Sequence, residues 1–572
     1  MNHSLVNIYY LLDDSLSKDL KAENLFFLNK SNNQDSVEHN TSELLQNELL
    51  NSLDSICLYY DDLLNCLNNF LLDNNKFLIV GGKRSWILSK MFNRDIESTF
   101  SKVRLVAYLD FLKRIKKNTN FVVTTDCPIF EKMLIDNNIP VTSLLAKSKK
   151  WKIFLVRFLS DFLISLKFKK KKALENLLFF SLSSNWDMAK GDRHFGNLKG
   201  LKHKFSYIHF ISTRAHLKKY TQNEVILNAY LNISDFIKVF STSLYFYFKI
   251  NYSKSQAFEY GELNLCSWVK SCLLEFALED YPAGSFYSVS MRNYFNDSHS
   301  SDTTLLTYGE LFTINQYLYS VLSEIENKPK IVAIQHAVNY RRKIVNHETF
   351  LNSAELPDYY LVHGKMFKKD LENNGLMLHS EIIGCLKYDG IIFDDSQKIK
   401  SNKVLIVPSL NDFDSIFESL KSLNESCTSK YDFYLSPHPA ANLTMLENKI
   451  KQLNFKLEIL KNISSLEFAK KSDVIIFSYS SVGLEALFYN KKIIRVFSRK
   501  LPKLFDDDLR IPTVFDSESL MQAFEQEENI PSLSIIEDYF GYSDGQVYKR
   551  LSHFLDDEMT IRACDNAPRA RW

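Results

Sequence analysis

Two short segments toward the carboxyl terminus carry residue types that can hold a phosphate. The first, YDFYLSPHPAAN, covers 431–442. A strand pattern ends at Ser436, and Pro437, His438 and Pro439 follow at once. Ligands of open α/β sheets bind beyond the carboxyl ends of strands, so His438 stands where a ligand is expected. The prolines fix the backbone and disfavour helix on either side of the imidazole. A ring held this way can donate to a phosphate oxygen; a turn histidine with no role has the same spacing. The second segment, SDVIIFSYSSVGLEALFYN, covers 472–490. A buried strand runs into Ser478, Ser480 and Ser481, and a helix begins there. Hydroxyls and free amides at a helix start favour an anion. Capping needs one serine, and three are present. Gly483 lets backbone or ligand approach where a Cβ would not. Glu485, in the first turns, can accept from ribose hydroxyls or merely complement the helix dipole. Together the two strand ends describe a phosphate-binding crevice.

Parallel sheets with crossover helices must position these groups, and short β-rich runs alternating with helical stretches supply that pattern. The first series of strands is expected at Val6–Leu11, Lys76–Val80, Phe121–Thr125, Phe205–Ser212, Thr304–Tyr308, Lys330–Gln335, Tyr359–Val362 and Glu381–Gly384. The second runs Lys403–Val407, Phe433–Ser436, Lys456–Leu460, Val474–Phe477, Lys492–Phe497 and Thr513–Phe515. The second series reads as one Rossmann-like unit. The polar stretch 389–403 separates the two, giving domains at 1–395 and 396–556. Helical stretches at 517–527 and 545–555 follow, and the latter can cross back to the first domain. The abrupt change of composition in IRACDNAPRARW marks 557–572 as a disordered tail.

Composition narrows the field. Hydrophobic residues make up 45% of the 572 and charged residues 24%, which are globular values. A net charge of +2 gives no global drive toward nucleic acid, so no nucleic-acid partner is expected. With 15 glycines, a glycine-rich nucleotide loop is not expected. The eight cysteines are scattered, without zinc spacing, and suit a reducing cytosol. The N-terminus lacks a basic stretch before an apolar run, so no signal peptide is expected. No long uncharged apolar window exists, so no transmembrane helix is expected. The stretch 147–172 has ten Lys or Arg around an apolar centre. That suits an anionic membrane surface, and equally a core helix with solvated lysines.

The pairing of His438–Pro439 with Ser480–Ser481 resembles the bacterial surface-polysaccharide glycosyltransferases of the GT-B fold. These include the capsule polysialyltransferases and Kdo transferases. In them an HP motif and an S-S/T motif bind the phosphate and nucleotide of a CMP-sugar. The chain is also similar to surface carbohydrate biosynthesis proteins through IVAIQHAVNYRRK at 331–343, DYYLVHGKMFKKDLENNG at 358–375 and EIIGCLKYDG at 381–390. The likeness covers roughly 300–555. Teichoic-acid polymerases that use CDP-glycerol share a comparable arrangement, which leaves the donor open.

The resemblance implies an α/β enzyme of GT-B type, with two Rossmann-like domains facing across a cleft. The first domain would bind the acceptor and the second the nucleotide sugar. Gln335 and His336 follow a strand and face the cleft; Ala337 stands where related enzymes carry glycine. His336 is a catalytic candidate, or else a structural histidine. Arg341, Arg342, Lys387 and Arg193 are candidates for holding acidic substrate groups. Transfer to a hydroxyl usually needs a base. Glu310, at the strand-to-helix junction after Gly309, is the first candidate. The second lies in SSNWDMAKGDRHFGNLKG at 183–200, a long loop in which Asp187, Asp192, Arg193 and His194 form an acceptor site or a capped turn. DxD patterns at 412–414 and 506–508 satisfy a metal-binding spacing. The GT-B pattern puts basic and dipolar groups in the metal's place, so neither metal nor cofactor is expected. The expected partners are a nucleotide sugar, a glycan or glycolipid acceptor and a peripheral membrane contact. The expected location is cytoplasmic, on or near the inner membrane.

Overall fold

The computed structural model describes short segments before residue 96 and most of residues 96–565, with breaks. Stretches 310–312, 336–355 and 497–509 are among those outside the described residues. Three parallel sheets carry the described chain. The first has strands β1 (Val6–Tyr10), β2 (Leu25–Phe27), β3 (Phe121–Thr125) and β4 (Val141–Ser143), in the order β2-β1-β3-β4. The second has seven: β5 (Leu177–Leu182), β6 (Ser206–Phe210), β7 (Val225–Ile226), β8 (Thr304–Tyr308), β9 (Lys330–Ile334), β10 (Tyr359–Val362) and β11 (His379–Ile382). Their order is β7-β6-β5-β8-β9-β10-β11. The third has six: β12 (Lys403–Val407), β13 (Asp432–Leu435), β14 (Leu457–Ile459), β15 (Val474–Phe477), β16 (Lys492–Val496) and β17 (Thr513–Val514). Their order is β14-β13-β12-β15-β16-β17.

This is the α/β plan that the residue pattern led us to expect, with the two Rossmann-like units that the resemblance implied. The central strands explain themselves. In β8 and β15 every residue is buried, because helices cover both faces of a parallel sheet and the strand must be apolar throughout.

Three expectations change. Strands β1 and β3 leave the first unit and build a separate sheet, so the described residues of 1–395 hold two parallel sheets rather than one. Of the strand expected at Lys76–Val80, the described residues Ile79–Val80 pair antiparallel with Lys83–Arg84 and join no parallel sheet. The C-terminal helix runs Val547–Asp565, so 557–565 are helical and not part of a disordered tail.

That helix does cross back. Val547, Leu551 and Leu555 join the core of the seven-stranded sheet. Tyr548 donates its hydroxyl to the Phe195 carbonyl at 3.0 Å, and its backbone N–H reaches Asp389 at 3.1 Å. A second core runs without interruption between the two units. It joins Ala333, Tyr360 and Val362 to Leu405, Ile475 and Phe477 through Ile535, Ile536 and Phe540 of the helix Ser532–Phe540. The contact is tight enough to require glycine. A Cβ on Gly364 would stand 2.2 Å from the Asp538 carbonyl oxygen, and Gly541, at φ +80°, packs on the His363 carbonyl.

Candidate functional site

Strand β12 is the first strand of the six-stranded sheet and lies at its centre. The chain adds β13 and β14 on one side and β15, β16 and β17 on the other. The reversal of direction opens a crevice at the carboxyl ends of these strands. His438 follows the end of β13, half-buried, in a turn held by the Ala441 N–H donating to its carbonyl at 2.8 Å. Ser478, Ser480 and Ser481 follow the end of β15. The two motifs therefore flank β12 on the same edge of one sheet. Pro439 lies outside the described residues.

The serines divide. Ser478 is fully buried, and its hydroxyl has no hydrogen-bond partner among the described residues. Ser480 takes the N-cap position of the helix Ser481–Glu485, but its hydroxyl makes no capping bond. Ser481 donates instead to Glu485 Oε1 at 2.8 Å. The helix is short, five residues followed by a 3-10 turn at Ala486–Tyr489. Its dipole is correspondingly small, and individual hydroxyl and N–H groups must do the holding. Gly483 also has a different reason from the one expected. A Cβ there would lie 2.1 Å from the Phe477 ring, so the glycine admits an aromatic neighbour from β15 and not a ligand.

Glu485 is the junction of the site. It is 1% exposed, and its Oε1 accepts from Ser481 and from Lys387 Nζ at 3.3 Å. Lys387 sits in the turn Leu386–Tyr388, just past β11 in the other sheet. Lys387 also bonds the Tyr388 hydroxyl at 3.0 Å. Burial, and then the charge of Glu485, push the Tyr388 phenol well above its usual range. Burial pushes the neighbouring Cys385 thiol up to about 12, which leaves it protonated and unreactive. Two residues expected on separate grounds, one for substrate and one for nucleotide, thus meet where the strand ends of both sheets converge.

The first unit is different in kind. Gln335 is 1% exposed, and its side-chain oxygen accepts the His363 N–H at 2.9 Å. It ties β9 to β10. Asp192 is also 1% exposed. Its Oδ2 accepts from Ser181 and Tyr308, each at 2.6 Å, and its Oδ1 from the Phe195 N–H at 3.1 Å. One carboxylate oxygen is therefore spent on the ends of β5 and β8 and the other on the backbone at Phe195. The supposed long loop contains a small ribbon, Trp186–Asp187 against Gly191–Asp192. Tyr207 lies nearby; burial, then the charge of Asp192, raise its phenol above the usual range. His209 stacks on Tyr207, with centroids at 5.7 Å, and meets a tilted Tyr220 at 4.9 Å. Burial lowers its imidazole to about 3.

Glu310, His336, Arg341, Arg342, Arg193 and His194 lie outside the described residues. So do Asp412 and 506–508 of the DxD patterns. Among the described residues no group of three or more His, Cys, Asp or Glu is placed to hold a metal ion. Sequence reasoning missed Ser181 and Tyr308. The signal was there: a hydroxyl-bearing residue at or next to the carboxyl end of a buried strand, twice.

No family model matches the chain, and no curated protein matches it. Several solved structures are similar at low identity. A UDP-bound MnaA from S. aureus is 12% identical over 67% of this chain and 96% of its own, with a TM-score of 0.40. The wall teichoic acid polymerase TagF with CDPG is 11% identical over 73% and 97%, with a TM-score of 0.38. A UDP-GlcNAc 2-epimerase from Neisseria meningitidis, bound to UDP-GlcNAc, is 11% identical over 67% and 99%, with a TM-score of 0.41. At such values no ligand or activity carries over to this chain.

Proposed function

We propose that the chain is a glycosyltransferase of surface-polysaccharide synthesis that takes its sugar from a nucleotide donor. The observation that carries this reading is the placement of His438 and the serine cluster on either side of β12, at the carboxyl edge of its sheet. A phosphate there would meet an imidazole N–H and hydroxyl donors before the bond to the sugar breaks. Such preorganised donors stabilise the charge that develops on the leaving phosphate. Glu485 suits a ribose, since a buried carboxylate can accept from two hydroxyls. The sequence resemblance supports a CMP-linked acidic sugar, such as Kdo or another ulosonic acid, and a lipopolysaccharide or capsule glycan as acceptor. Glu310 is the proposed base, and Asp192, with both oxygens engaged, is a positioning residue for the end of β8 that leads to Glu310.

Calorimetric titration with CMP, CDP, UDP and GDP tests the reading. CMP binding tightest supports it. A preference for CDP points to transfer of a polyol phosphate, and binding of UDP or GDP alone overturns the acidic-sugar donor. No binding of any of the four overturns the phosphate site itself.

A further inference from the structure

Two helices expose an apolar face that the transferase reading does not use. They are α1 (Lys150–Ser165) and α2 (Ile233–Tyr252). In and just after α1, Leu155, Val156, Leu159, Leu163 and Leu166 are 45–64% exposed. At 3.6 residues per turn they fall within one arc of about 100°. Along α2, Ile233, Ile237, Tyr245, Phe248 and Tyr252 are 48–78% exposed, in an arc of about 120°. These ten make up most of the eighteen large exposed apolar side chains among the described residues. Scattered exposure is ordinary, whereas concentration of this kind marks an interaction surface.

The two arcs lie on the same side. Phe154 stacks on Phe240 at 5.7 Å, Phe158 meets both Phe240 and Phe236, and Phe162 meets Phe236 at 5.2 Å. Numbers rise along one helix as they fall along the other, so the pair is antiparallel. On each helix the exposed arc follows the contact edge in the same rotational sense along the chain. In an antiparallel pair, that sense carries both arcs to one common face.

The exposed charges on and beside the two arcs are mostly lysines; Glu175 is half-buried and Asp297 is paired with Lys170. Lys167, Lys169 and Lys172 are exposed just past α1, next to Leu174, which is 94% exposed. Lys238 and Lys249 are exposed at the edge of the α2 arc. The acids of the same elements are turned away. Asp161 is buried, and Asp235 accepts from the Asn232 N–H and from Asn293. Among the described residues neither arc carries an exposed acid. No described helix is long and apolar enough to cross a membrane. An apolar face rimmed by lysines lies in the boundary between headgroups and acyl chains, with the ammonium groups reaching the phosphates.

We propose that the common face of α1 and α2 docks on the surface of an anionic lipid bilayer. The basic flanks of 147–172 were legible in the sequence; the second helix and the shared face come from the fold. The inference is independent of the donor and of the transferase reading.

Vesicle co-sedimentation of the full chain tests it, using phosphatidylcholine alone or mixed with phosphatidylglycerol. The chain binds the mixed vesicles, and binding falls as salt rises. Lys169→Glu with Lys172→Glu lowers partitioning about tenfold or more. Leu159→Glu with Ile237→Glu does the same, with the melting temperature unchanged. Ile237→Trp gives a second readout that needs no disruptive change, a blue-shifted emission on anionic vesicles. Equal binding to neutral vesicles, undiminished binding by the double variants, or no emission shift overturns the proposal. So does a solution dimer that Leu159→Glu splits and that ignores vesicles.

Discussion

Lys387 and Glu485 come from different sheets, and the 3.3 Å between Nζ and Oε1 links the turn after β11 to the helix after β15. The pair is lopsided: the carboxylate is 1% exposed and the ammonium side chain 43%. Removing the lysine leaves a buried carboxylate that still accepts from the Ser481 hydroxyl but has lost its cation. Breaking a fully buried pair costs about 3–5 kcal/mol. Solvent already screens this lysine, so Lys387→Met should cost about 1–2 kcal/mol in urea unfolding. Glu485→Gln in the Lys387→Met background should restore part of that loss, and a double-mutant cycle measures the coupling.

His438 tests the phosphate site more directly. His438→Ala removes one ring donor while the turn keeps its backbone bond to Ala441. The dissociation constant for the preferred nucleotide should rise about tenfold, as for loss of one charge-assisted bond. The melting temperature should move little. Ser480→Ala should act in the same direction, since its hydroxyl caps nothing. Unchanged affinity in both variants removes the motif from the site.

Asp192 should behave as a structural group. Tyr308→Phe deletes one 2.6 Å bond to its carboxylate and should cost about 2 kcal/mol. Asp192→Asn weakens that bond and the one from Ser181, and should cost a similar amount. The two losses share one network and should be far from additive. Thermal melts of the two single variants and the double variant check this. Nucleotide affinity, read in the other unit, should stay in place.

His209 gives a pH signature. In the unfolded chain its imidazole gains a proton from about pH 6.5 downward; in the folded chain burial delays this to about 3. The folded pKa is the lower one, so the unfolded state binds more protons between those values. Its contribution is complete above 6.5 and is lost as the pH falls toward 3. The slope is about 1.4 kcal/mol per pH unit inside that window. His209→Phe, in contact with the same two tyrosine rings, should flatten the fall of melting temperature between pH 6.5 and 4. A profile unchanged by this substitution would place the acid sensitivity elsewhere.

The second Rossmann-like unit was the more legible of the two. Its strands β12, β13 and β15 announce themselves as short β-rich runs stopped by Pro408, Ser436 and Ser478. The crevice follows from their order alone. The first unit was harder for a physical reason. Its strand β5, LLFFSL, beside the central β8, follows closely on a run of lysines and a helix rich in Phe and Leu, and apolar runs of that length do not separate strand from helix. Strands β1 and β3 are far apart in sequence, and nothing local says that they pair with each other and not with β8. Site residues that touch other parts of the chain were equally hidden. The bond between Lys387 and Glu485 spans the two sheets, and only the fold brings it about. Gly483 was noticed for the right property and the wrong neighbour.

The polypeptide passes between the two units twice. It leaves the first near Asp389 and returns at Gly541, where the helix Val547–Asp565 fastens to the first unit through Tyr548. At the second passage, Gly364 and Gly541 hold backbone against backbone, without side-chain padding between them. The two crossings lie side by side: Ile392, just past the first, bridges antiparallel to Asp544, just past the second. With an unbroken apolar core beside them, the two units are joined along a seam and not by a single linker.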